Sequence, residues 1–96
     1  MSSTCLNMNY SVKTKLSDNI FYIVFQEGKG NQQTIETPLD KLGCDLMAQK
    51  IKNYIDDNPD YDVSITQDDD IGIIVDLFDD DELYDTETFW FDDFSE

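Results

Sequence analysis

The charges of this chain are partitioned along its length, and that partition limits what it can fold into. Of its 22 acidic residues, only Asp18, Glu27, Glu36, Asp40 and Asp45 precede residue 56, alongside all six lysines. The remaining seventeen acids lie in residues 56–96, a stretch without a single base. The first part is nearly neutral, and the second accounts for the formal net charge of -16. Gathering so many like charges costs self-repulsion, which a partner of opposite charge would relieve. Aspartate greatly outnumbers glutamate and is a poor helix former, so strands and turns, not long exposed helices, are expected there.

With 96 residues, the chain has room for one domain, spanning 1–96, and a hydrophobic share of 40% is enough to build a core. Six lysines, with no arginine, cannot form a basic face against this field, so neither direct nucleic-acid binding nor docking on anionic membrane is expected. The absence of histidine excludes Ser/His and Cys/His catalytic pairs and imidazole metal ligation. No apolar run reaches the length of a membrane span, and the first ten residues have neither the cationic nor the apolar stretch of a secretory signal. Cys5 and Cys44 form no CxxC and read as reduced thiols in a cytoplasmic protein.

Periodicity predicts the order ββ(β)-α-ββ followed by an acidic-aromatic segment. Tyr10–Leu16 alternates as a half-buried strand, Ser17-Asp18-Asn19 is turn chemistry, and Ile20–Gln26 is apolar on both faces. Gln32–Glu36 is a short third strand. Thr37-Pro38-Leu39-Asp40 predicts a helix start with Thr37 as N-cap. Leu39, Leu42, Leu46, Met47, Ile51, Tyr54 and Ile55 then recur at helical spacing until Asn58-Pro59 stops the helix near Asp57. Tyr61–Thr66 and Ile71–Phe78 alternate as a second hairpin around Gln67–Asp70. Asp79–Glu96 interleaves acids with aromatics and fits a last strand at Thr86–Phe91, a short helix, or a tail that orders on binding. The expected fold is α+β: a small antiparallel sheet of four to six strands with the helix on one face.

The acids invite two chemical readings, and both fail on their own requirements. Asp56, Asn58, Asp60, Asp62 and Ser64 follow a helix at calcium-loop spacing, but Tyr61 stands where an EF-hand needs glycine and Gln67 where it needs a bidentate glutamate. Paired-carboxylate hydrolysis needs a cleft and a positioning cation, and the acidic part holds no Lys or Arg. No enzyme activity, metal or cofactor is therefore expected.

The remaining reading concerns the acidic surface as a whole. Duplex DNA carries one charge per about 1.7 Å of axis, so seventeen charges, if they share one face of the molecule, match roughly 29 Å of duplex. Carboxylates at i and i+2 of a strand lie about 6.6 Å apart, close to the step between phosphates. The expected contact ridge is Asp68, Asp69, Asp70, Asp76, Asp79, Asp80, Asp81, Glu82, Asp85 and Glu87, with Tyr84 and Trp90 as anchors. Phe89 and Phe91 have the period-two spacing of core residues, with Trp90 opposite.

In its size, its lack of Arg and His, the acid runs Asp68–Asp70 and Asp79–Glu82 and its α+β order, the chain resembles the small acidic DNA-mimic inhibitors that phages make against host defences, the anti-CRISPR and anti-restriction proteins. The resemblance covers mainly residues 56–96. It implies a stoichiometric inhibitor in the host cytoplasm that occupies the basic nucleic-acid site of a CRISPR effector, a restriction enzyme or a similar protein. A homodimer formed through an edge strand would double the ridge. The alternative is an acidic-aromatic interaction module, a regulatory subunit or antitoxin-like partner, that inserts a disordered 79–96 segment into a groove.

Overall fold

In a computed structural model, which describes residues 10–28, 30 and 32–95, six strands and one helix are arranged as two antiparallel three-stranded sheets. The first sheet has the order β1 (Tyr10–Ser17), β2 (Ile20–Glu27), β3 (Gln32–Glu36). Helix α1 (Lys41–Asp56) follows, and then the second sheet, β4 (Asp62–Asp68), β5 (Gly72–Asp79), β6 (Glu82–Trp90), closed by a short 3-10 turn at Phe91–Asp93. The α+β class and the element order are as expected. The expected single sheet is instead two. At their junction the Gln33 side-chain amide donates to the Ile65 carbonyl at 2.9 Å, so a side chain bridges β3 and β4 where a continuous sheet would have a ladder bond.

Local chemistry explains the hairpins. Asp18 and Asn19 both have positive φ (53° and 66°) in a two-residue connection between the paired Ser17 and Ile20, a primed turn that Asp and Asn tolerate. Asp69 and Asp80 take the left-handed conformation in the two turns of the second sheet. Aspartate therefore serves both to turn the chain and to charge the turn.

The helix begins three residues later than its sequence signal. Asp40, not Thr37, is the N-cap, and its carboxylate accepts from the Gly43 backbone N–H at 2.8 Å. Thr37 is buried instead, with its hydroxyl donating to the Phe21 carbonyl at 2.8 Å and accepting from the Leu39 N–H at 3.3 Å. The hydroxyl thus ties the end of β3 back to β2. The apolar stripe also differs. Gly43, Cys44, Met47, Ala48, Ile51 and Ile55 are buried, whereas Leu42 and Leu46 are 61% and 48% exposed. At about 100° per residue those two leucines lie opposite the buried stripe. Met47, Ile51 and Ile55 of the expected stripe are fully buried, and the small residues Gly43, Cys44 and Ala48 complete that face and let the helix sit close.

One hydrophobic cluster joins everything: Ile23, Phe25 and Ile35 from the first sheet, Met47, Ile51 and Ile55 from α1, and Ile65, Ile73, Val75 and Phe91 from the second sheet and its closing turn. The helix also reaches both outer strands. Thr14 on β1 donates to Asp45 at 3.2 Å, and the Tyr54 hydroxyl donates to Asp85 on β6 at 2.7 Å. Cys44 is a free, buried thiol whose pKa burial pushes up, while Cys5 lies outside the described residues.

Residues 79–96 are not an appended tail as far as they are described. Residues 82–90 form the outer strand of the second sheet, Phe91 is buried, and Phe89 and Phe94 pack against the core. The expected last strand at Thr86–Phe91 thus starts four residues earlier and ends at Trp90.

Candidate functional site

The acids expected to form a ridge all belong to the second sheet and its turns, but they do not share one face. On β5, Ile73, Val75 and Leu77 are buried against the helix side, so Asp76 points to the opposite face. Directly paired residues share a face, and Asp85 pairs with Leu77 and Glu87 with Val75. Both carboxylates therefore stand on the helix side of β6, where Asp85 accepts from the Tyr54 hydroxyl of α1. Tyr84 is the extra residue of a bulge between Leu77 and Phe78, and this bulge sets which β6 residues face which way. On the far face, Thr86 donates its hydroxyl to Asp76.

The acid runs sit at opposite ends of the same strand. Asp68, Asp69 and Asp70 surround the turn before β5, and Asp79, Asp80, Asp81 and Glu82 the turn after it. Seven residue steps from Gly72 to Asp79 at about 3.4 Å separate the two turns by about 24 Å. The expectation that the acids share one face is thus corrected. Carboxylates line both faces of the β5–β6 ribbon and cap both of its ends, because strand alternation sends neighbouring acids to opposite sides.

These charges are almost entirely uncompensated. The ion pairs among the described residues are Lys41–Asp45 at 2.8 Å and Lys52–Asp56 at 2.7 Å, both within α1. None of the ten ridge acids has a basic partner among the described residues. The Lys41 ammonium, by hydrogen bond, holds the Asp45 carboxyl below the usual carboxylate range. Screening should therefore stabilise the protein. Melting temperature is expected to rise by several degrees as NaCl is raised from low to moderate concentration; a flat or falling profile would contradict the unrelieved-repulsion picture.

Aromatic rings are set into the charged ribbon. Tyr54 meets Phe89 edge to face at 6.0 Å and donates to Asp85. Desolvation, the Asp85 hydrogen bond and the nearby charges of Asp85, Glu87 and Asp76 raise the Tyr54 phenol well above 10. Burial and then Glu27 push Tyr10 up to about 12. Because the fold holds both phenols neutral, their contribution is complete below pH 10 and is lost as pH climbs through the raised values. Melts across pH 9 to 12 are expected to show a steep alkaline loss that Tyr54→Phe reduces. Tyr84, an expected anchor, is 55% exposed and stacks face to face on Tyr61 at 4.0 Å.

Trp90, the other expected anchor, is 43% exposed and lies over an end of the sheet that sequence reasoning did not assemble. Asp70, Ile71, Trp90, Asp92 and Asp93 line a depression of about 370 Å³ there. Asp92 and Asp93 were outside the expected ridge. Only the register, with Gly72 opposite Trp90, brings residues 70–71 and 90–93 together. A second recess, about 430 Å³, lies between β1 and α1 and is lined by Lys13, Lys52 and Asp45 among others. Among the described residues no group of three acidic or thiol side chains is placed to hold a metal ion, and no helix is long and apolar enough to cross a membrane. No protein-family model, curated protein or solved structure matches this chain.

Proposed function

We propose that this protein is a non-enzymatic inhibitor that counterfeits the charge of duplex DNA and occupies the basic nucleic-acid site of a host-defence or DNA-processing protein, of CRISPR-effector or restriction type. The observation that carries the reading is a folded ribbon whose carboxylates surround it and have no basic partners among the described residues. A duplex is itself a rod with phosphates on all sides, and the roughly 24 Å between the two acidic turns corresponds to about seven base pairs. A charge distribution of this kind suits a concave cleft that closes round the β6 edge, more than a flat basic patch. Backbone pairing holds the short aspartates in place, so little rotamer entropy is lost on docking.

In this reading two copies do not join through β6. Two copies joined through β6 would set the carboxylates of Glu82, Asp85 and Glu87 against their own kind, and like charges facing each other across a pair of strands are destabilising.

Affinity capture from a host lysate, with mass spectrometry, tests the proposal. The captured protein is expected to be basic, to bind nucleic acid, and to be displaced both by excess duplex DNA and by salt. A partner indifferent to both would refute charge mimicry.

A further inference from the structure

The apolar surface at the Gly72–Trp90 end of the second sheet calls for a covering group, and its rim specifies which. Ile71 is 50% and Trp90 43% exposed, side by side in the depression of about 370 Å³. Every other residue that lines it is an aspartate: Asp70, Asp92 and Asp93. A purely apolar partner would bury these carboxylates without compensation, and desolvation opposes that. A hydrated ammonium would satisfy the carboxylates but leave the indole face and Ile71 uncovered. A guanidinium does both. Its flat, weakly hydrated face stacks on an indole, and its edge donates to carboxylates in a fork.

The depression is also held in shape. The Phe91 N–H donates to the Ile71 carbonyl at 2.8 Å, which staples the two lining segments together. Gly72 lies opposite Trp90 in the ladder, and a methyl group placed on it would fall 2.5 Å from the Phe89 carbonyl oxygen. The absence of a side chain at Gly72 lets the β6 backbone pass close at Phe89 and Trp90.

From this geometry we infer that the Trp90 depression is a receptor for a partner arginine side chain, and that the protein therefore selects arginine over lysine. The inference rests on the reading of the acidic ribbon as a ligand for a basic protein, and it makes that reading specific: the partner site presents an exposed arginine toward the end of the ribbon. It also separates the ribbon into two parts. The carboxylates along β5 and β6 respond to charge of either kind, whereas the depression responds to the planar cation.

The test uses the full chain and two peptides of equal length and charge, one with arginine and one with lysine, alternating with glycine. Trp90 is the only tryptophan, so its emission reports on the depression directly. At low salt the arginine peptide is expected to bind about fivefold more tightly than the lysine peptide and to shift the Trp90 emission. Asp92→Asn with Asp93→Asn is expected to weaken the arginine peptide more than the lysine peptide. Trp90→Leu, followed by calorimetry, should equalise the two. Equal affinities in the native chain, or arginine binding that leaves the Trp90 emission unmoved, would overturn the receptor while leaving the charge reading intact. If neither peptide binds, the charge reading itself is lost.

Discussion

A chain ending at Phe78 is expected to be unfolded, not merely deprived of a binding tail. The truncation removes β6, which pairs with β5 from Gly72 to Asp79, and leaves β5 as an edge with Ile73, Val75 and Leu77 half uncovered. It also removes Phe91, which is 3% exposed, and Phe89 and Phe94, which pack against the core. Fully burying one such aromatic contributes about 1.5–3 kcal/mol, and the partly buried Phe89 and Phe94 contribute less than that each. Three of them, with a whole ladder of backbone bonds, rival the total of about 5–15 kcal/mol that stabilises a small protein. Circular dichroism and proton–nitrogen NMR are expected to show loss of the cooperative melt and collapse of amide dispersion. A truncated chain that kept both would make residues 79–96 an appendage. Because of this coupling, loss of binding on truncation would not locate the contact surface; point substitutions of exposed acids must do that.

Gly43→Ala is expected to destabilise the protein strongly although it improves the helix. By propensity alone the change would gain up to about 1 kcal/mol. A methyl group at this position, however, collides with the Phe94 carbonyl, which is backbone and cannot swing aside, and comes within 3.2 Å of the Asp40 carboxylate that caps the helix. Overpacking of this kind costs about 1–3 kcal/mol, and a disturbed cap about 1 more. The net loss is expected to be about 1–3 kcal/mol, a fall in melting temperature of roughly 5 to 20 degrees. The measurement is a thermal or urea melt against Leu42→Ala, which lies on the exposed face of the same turn and should change little. An unchanged or raised midpoint for Gly43→Ala would mean that the helix start and the closing turn are not in contact.

Gly43 also shows why part of the fold was hard to read. A helical stripe read from large apolar side chains finds Met47, Ile51 and Ile55, which are buried, but also enlists Leu42 and Leu46, which face solvent, and passes over Gly43, Cys44 and Ala48, which share the contact. Thr37 misleads similarly. It has the chemistry of an N-cap, but its hydroxyl is used by the Phe21 carbonyl, and Asp40 caps instead. The strands and hairpin turns were legible because alternation and left-handed aspartates act over two to four residues.

The candidate site divides along the same line. That the acids of residues 56–96 would be carried on strands and turns follows from composition and period alone, since Asp disfavours helix and alternation marks a half-exposed strand. Which carboxylates stand together is another matter. Asp85 and Glu87 fall on the helix side and Asp76 on the far side because of a register that includes the bulge at Tyr84, and Asp70 joins Asp92 and Asp93 around Trp90 because Gly72 pairs with it from another strand. Charge content is a local property of the chain, whereas the face a charge occupies is fixed by pairing between distant segments, and only the assembled sheets decide that.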